Sequence, residues 1–238
     1  MEDALTIIIP VFNEEDNLHQ LSDVLGSYMS KSSIASNVLF VNDGSTDNSQ
    51  QLIESICQDN SKFKYITLSE NSGLSAALKV GFDNVNTKLV GYMDADLQTD
   101  PNDFDLLLEH IDDHAMVSGI RTRREDSFGK RLSSIIANSI RRLFTNDGMD
   151  DTGCPLKILK TSYAQKIPMF KGLHRFLPAM IMLQKGTIKQ IPVRHYPRFA
   201  GTSKFGFWNR LIGPLTDCFA YIWMKRRYIR YHITKTNL

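Results

Sequence analysis

The chain has 238 residues, 42% of them hydrophobic, enough for a sizeable core in one large domain or two closely joined ones. Its three cysteines lie far apart without metal-ligand spacing, which excludes a disulfide framework and a zinc site and points to a reducing cytosol. The net charge of +2 conceals an asymmetry, because residues 1–120 carry 5 basic and 20 acidic side chains while residues 121–238 carry 23 and 6.

An acidic half joined to a basic half implies two kinds of partner, the basic half meeting an anion such as a membrane surface or a phosphate-bearing acceptor. No nucleic-acid motif is present. The opening residues Met1-Glu2-Asp3 lack the basic region of a signal peptide. No uncharged apolar run approaches the roughly 18 residues of a spanning helix.

Residues 5–12 read as a buried strand, and a helix with Leu18, Leu21, Leu25 and Tyr28 on one face follows. Residues 38–42 form the second expected strand, Asp43 to Asp47 a turn, and Leu52, Ile53 and Ile56 the apolar face of a second helix. Residues 63–68 alternate as a third strand, and residues 71–75 turn into a helix ending near Val85. A fourth strand is expected at 89–93, a helix at 101–113 and a fifth strand at 115–120. This alternation predicts an α/β fold, a mostly parallel sheet with helices on both faces. Ligands of such sheets sit beyond the carboxyl ends of the strands. After a charged connection, residues 128–144 read as a basic amphipathic helix and 154–159 as a strand, and residues 172–175 lead into a helix through Lys185. Residues 187–196 read as an edge strand interrupted by Pro192, and 205–231 as an aromatic, basic, amphipathic stretch.

The fourth strand stops abruptly at Asp94 and Asp96, with Gln98 and Asp100 behind. Alternate residues of an extended chain point the same way, so Asp94, Asp96 and Gln98 are expected to converge. Two hard oxygen ligands suit Mg²⁺ or Mn²⁺, with water and substrate phosphates completing the shell. Taken alone, the pair would do no more than end a strand, with Asp100 capping the helix opened by Pro101. Polar clusters at the ends of four successive strands outweigh that reading.

The segments IPVFNEEDN, VNDGSTDNS, NSGLSAAL and DADLQTDP occur in that order. Over residues 4–210 the chain resembles the family 2 inverting glycosyltransferases of GT-A fold. The later segments SGIRTRRED, DDTGC, HRFLPA and PVRHYPRFAGTSKFG make it similar to the polyprenyl-phosphate branch, which includes dolichol-phosphate mannose synthases and undecaprenyl-phosphate glycosyltransferases. The resemblance implies that Pro10, Phe12 and Glu14 hold the nucleotide base and ribose. It also implies that Asp43, supported by Ser45, reads the base edge, and that Gly73 lets the backbone approach the nucleotide. Asn42 stands where many relatives have a second Asp. Asp94, Asp96 and Gln98 match the metal and diphosphate site. Arg121, Arg131 and Ser134 match residues that receive the acceptor phosphate, and Arg198, Ser203 and Lys204 a loop over the donor phosphates.

These correspondences give residues 1–120 as the nucleotide-sugar half, 121–204 as the acceptor half of the same domain, and 205–238 as an amphipathic basic segment. The expected partners are a UDP- or GDP-sugar, a polyprenyl phosphate and, peripherally, the inner face of a membrane; a homo-oligomer is compatible. Asp151 would serve as a base if the acceptor were a hydroxyl, and equally as a loop cap. His174 and His195 read as structural. Trp208, Phe219 and Trp223 suit either a core or a membrane interface. A hydroxyl acceptor and a non-catalytic nucleotide-sugar-binding or scaffold protein are the rival functions. A nucleotidyltransferase would want a Gly-rich, Arg-containing loop where Asn13-Glu14-Glu15-Asp16 stands.

Overall fold

The computed structural model describes residues 4–122, 141–197, 212–229 and 234–235, with only the backbone of 212–215. Its elements follow in order as β1 (Leu5–Val11), α1 (Glu15–Lys31), β2 (Ser36–Asn42), α2 (Ser49–Asp59), β3 (Phe63–Thr67) and α3 (Leu74–Asp83). Then come β4 (Leu89–Tyr92), α4 (Asp103–Leu108), β5 (Met116–Arg121), β6 (Lys157–Lys160) and α5 (Thr161–Ala164). A 3₁₀ turn (Leu173–Phe176), α6 (Leu177–Leu183), β7 (Ile188–Val193) and α7 (Ile212–Arg227) complete it.

The strands form one seven-stranded sheet in the order β3-β2-β1-β4-β6-β5-β7. All pairings are parallel except those of β6, which runs antiparallel to both β4 and β5. The apolar runs of β1 and β2 are continuous because both faces of the sheet are covered. Ile7 and Ile9 pack towards Leu18, Leu21, Leu25, Ile53 and Phe104 on one face. Ile8 packs towards Leu78, Phe82, Phe176 and Leu177 on the other. Pro192 lies in β7 at the sheet's edge, where its missing N–H breaks no ladder between two neighbours.

Three details depart from the sequence reading. The helix expected over residues 101–113 is only α4, and residues beyond it continue in tight turns such as His110 N–H to the Leu107 carbonyl and Ile111 N–H to the Leu108 carbonyl. The strand expected over 154–159 begins at Lys157 and lies between β4 and β5. Asp94 and Asp96 are not on an extended strand. The chain leaves β4 after Tyr92, and Leu97 takes a left-handed conformation with φ 57°. A branched residue there stores about 1–3 kcal/mol of strain, which the packing of Leu97 against the core offsets.

Candidate active site

The carboxyl ends of β1, β2, β4 and β5 and the loop before α3 form one rim, joined by the amino end of β6 because that strand is reversed. After β1, Asn13 takes φ 53° and stitches itself to the β2 turn. Its backbone N–H donates to Ser45 Oγ at 2.9 Å and its Oδ1 accepts the Thr46 N–H at 2.7 Å. Glu14 N–H donates to the buried Ser49 hydroxyl at 2.9 Å, and Glu14 Oε2 accepts from Asn17 Nδ2 at 2.7 Å. Pro10, Phe12 and Glu14 stay half-buried at this edge.

Asn42 shapes the turn: its Oδ1 accepts the Ser45 N–H at 3.0 Å while its Nδ2 donates to Gln50. Asp43 is buried. Its two oxygens accept the Ser72 and Gly73 amides, both at 2.8 Å, bracketing the start of α3. Gly44 is obligatory beside it, because at φ 68° an added Cβ would sit 2.5 Å from the Glu70 backbone. Gly73, at φ 88°, faces open space above the rim. Ser75, two residues on, meets His174 Nδ1 at 2.9 Å and accepts the Gly172 amide at 3.1 Å. Burial pushes His174 down to about 3, so this ring is a neutral packing group, as its sequence context suggests.

Tyr92 Oη donates to Asp94 Oδ1 at 2.7 Å. Burial first, and then the charges of Asp94 and Asp96, push the Tyr92 phenol well up, so it remains a donor. Asp96 is buried and its Oδ1 accepts the Gln98 N–H at 3.2 Å. The Gln98 amide donates to the Tyr196 carbonyl at 3.3 Å, and Tyr196 N–H returns a bond to the Gln98 carbonyl at 2.9 Å. Two carboxylates and an amide oxygen in one short turn fit a hard divalent ion that keeps water and phosphate ligands. No cluster of three His, Cys, Asp or Glu side chains forms a complete protein cage among the described residues.

Arg121 and Asp151 form a two-pronged pair, Nε to Oδ2 and Nη2 to Oδ1, both at 2.8 Å. Arg121 N–H also reaches Oδ2 at 3.2 Å, and Gly153 lacks the Cβ that would press on the guanidinium. Arg131, Ser134, Arg198, Ser203, Lys204 and Trp208 lie outside the described residues. The sequence reading missed Lys157, which sits beneath Tyr92, and Arg194. Arg194 grips Asp103 through Nε and Nη2 at 3.0 and 2.7 Å and reaches Asp100 at 3.0 Å. Neither carries a motif signal, since Lys157 is placed by its pairing with β4 and Arg194 by ion pairs with Asp103 and Asp100, both far away in sequence.

Known proteins are similar to this chain in sequence and in fold. A 31% identity over 215 residues relates the chain to an undecaprenyl-phosphate 4-deoxy-4-formamido-L-arabinose transferase of Salmonella choleraesuis, covering 90% of this chain and 65% of that protein. A dodecaprenyl-phosphate galacturonate synthase of Rhizobium johnstonii is 27% identical over 231 residues, covering 93% of this chain and 67% of that protein. The chain thus spans about two thirds of the length of these relatives. In structure it is similar to glucosyl-3-phosphoglycerate synthase from Mycobacterium tuberculosis, in complex with Mn²⁺, UDP-glucose and phosphoglyceric acid. The TM-score is 0.72 at 12% identity, covering 96% of this chain and 81% of that one, a likeness of fold. Residues 6–167, which include the rim loops after β1, β2, β3 and β4, match the family described as glycosyl transferase family 2, and the chain belongs to that family.

Proposed function

We propose that this chain transfers a sugar, with inversion, from a nucleoside diphosphate sugar to a polyprenyl phosphate. The observation that carries the acceptor is the Arg121–Asp151 pair. A hydroxyl acceptor needs a base to take its proton. Asp151, the candidate for that role, is engaged through both oxygens by Arg121. A phosphate monoester needs no base, since its second pKa of about 6 leaves it largely dianionic near neutrality. It needs cations that orient one oxygen, and an Arg fork held in place by a carboxylate does that. The names of the polyprenyl-phosphate relatives support the same acceptor.

On the donor side, Asp43 keeps further lone pairs for a base edge while it brackets α3. Asp94 and Asp96 would hold Mg²⁺ or Mn²⁺, which supplies a Lewis acid and template for the departing diphosphate. Arg198 and Lys204 would add positive charge to the donor phosphates, and Arg131 and Ser134 would complete the acceptor site. α7 supports a peripheral position on the inner face of a membrane. Its Cys218 and Tyr221 pack inward, while Phe219 and Trp223 stand 64% and 66% exposed. Leu143 and Ile229 add 83% and 80% exposed apolar side chains, and Lys225, Arg226 and Arg227 lie in the last turn of α7.

A melting panel of UDP- and GDP-sugars tests the donor reading. One base series should raise the melting temperature, and only with Mn²⁺ or Mg²⁺ present; saturation at about 100 times Kd would correspond to about 2.7 kcal/mol. No shift with either series would contradict it.

A further inference from the structure

Lys157 is one of the largest fully buried side chains in the protein, at 1% exposure. It is the first residue of β6 and lies opposite Tyr92, the last residue of β4, so the two side chains share a face. Its Nζ sits 5.6 Å from the centre of the Tyr92 ring and donates to the Cys154 carbonyl. The Tyr92 hydroxyl in turn donates to Asp94 at 2.7 Å. Asp94 and Asp151 act on the ammonium through space, while burial, the largest influence, pushes its pKa down. A buried ammonium held by one carbonyl and a ring face costs stability, and an apolar side chain of similar length would be neutral or better for the fold. The charge therefore serves something other than packing, and what lies above it is the acidic turn.

We infer that Lys157 is a positioning residue of the Asp94–Asp96 turn, whose buried charge weakens the turn for a bare divalent ion so that the ion is held jointly with the donor diphosphate. This rests on the reading of Asp94 and Asp96 as metal ligands. Two carboxylates alone attract a free divalent ion. A cation buried near Asp94 opposes it, since the low local dielectric preserves the repulsion. The diphosphate brings its own negative charge, and the combined site then outweighs that repulsion. Through Tyr92 the same side chain also holds Asp94 at one angle.

The test is calorimetric titration of Mn²⁺ alone, and of Mn²⁺ in the presence of UDP or GDP, into wild type, Lys157→Met and Lys157→Arg. Thermal unfolding of each accompanies it. Lys157→Met should melt at or above the wild-type temperature and bind bare Mn²⁺ about tenfold more tightly. The gain in Mn²⁺ affinity on adding nucleotide should shrink, and Lys157→Arg should stay close to wild type. A merely structural lysine would lower the melting point and leave bare Mn²⁺ affinity unchanged or weaker. Either of those affinity results in folded Lys157→Met overturns the inference. If that variant does not fold, Lys157→Gln, neutral but able to donate to the Cys154 carbonyl, must show the tighter Mn²⁺ binding. Absence of Mn²⁺ binding from wild type even with nucleotide would overturn the metal reading itself, a result distinct from equal affinities.

Discussion

At Asp43 one carboxylate accepts the Ser72 and Gly73 amides and faces the rim where a nucleotide base would lie. Removing it takes a charged acceptor from two part-buried backbone donors, and a hydrogen bond to a charged group contributes about 1.5–3 kcal/mol. Asp43→Ala should therefore lower the melting temperature and weaken free UDP or GDP together. Unchanged nucleotide affinity by calorimetry would reduce Asp43 to a bracket for α3. Asp96→Asn is a sharper probe. It keeps the Oδ1 acceptor for the Gln98 amide, so the fold should survive while Mn²⁺-dependent transfer disappears. Metal-dependent turnover near the wild-type rate would refute Asp96 as a ligand. The position of Asp43, Asp94 and Asp96 just past the strand ends was legible in the sequence, because each sits in a local turn signal after an apolar strand. The place of Lys157 was not, because it is set by pairing with a residue sixty-odd positions away in β4.

The order of alternating strands and helices was legible from β1 to β5, where each apolar run is long and bounded by turn residues. The reversal of β6 was not, since strand direction is decided by which neighbours it joins rather than by its own residues. That reversal brings Asp151, Cys154 and Lys157 to the rim. The segment joining β4 to α4 shows a second long-range effect. Arg194, just after β7, grips Asp103 and Asp100, and Tyr196 pairs with Gln98. Arg194→Met should cost about 1–3 kcal/mol, because Asp103 is buried and would lose a charge-assisted partner. Hydrogen exchange should rise selectively over residues 94–103. A uniform rise across the sheet would mean that Arg194 supports the whole domain instead of this turn.

At the scale of the whole molecule, Asp43, Asp94 and Asp96 stand at the rim of the sheet, while Lys225, Arg226 and Arg227 close α7. Asp217 points inward to Arg175 at 3.3 Å, so α7 is tied to the segment that holds Ser75 and hence the start of α3. No described helix is long and apolar enough to cross a membrane. Each basic side chain near an anionic leaflet contributes about 1 kcal/mol, so Lys225, Arg226, Arg227 and Arg230 together should give salt-sensitive binding to anionic vesicles. Replacing those four with Gln should abolish co-sedimentation, and a wild-type protein that ignores such vesicles at low salt would remove α7 from the membrane account. The acceptor chemistry is the centre of the proposal, and one comparison addresses it directly. The protein is given its nucleotide-sugar and Mn²⁺ with either a polyprenyl phosphate or the polyprenol of the same chain length, and extracted lipid is read by mass spectrometry. The phosphate should yield a glycosyl phosphate lipid and the alcohol none; a glycosylated alcohol, with the phosphate unreacted, would contradict the account.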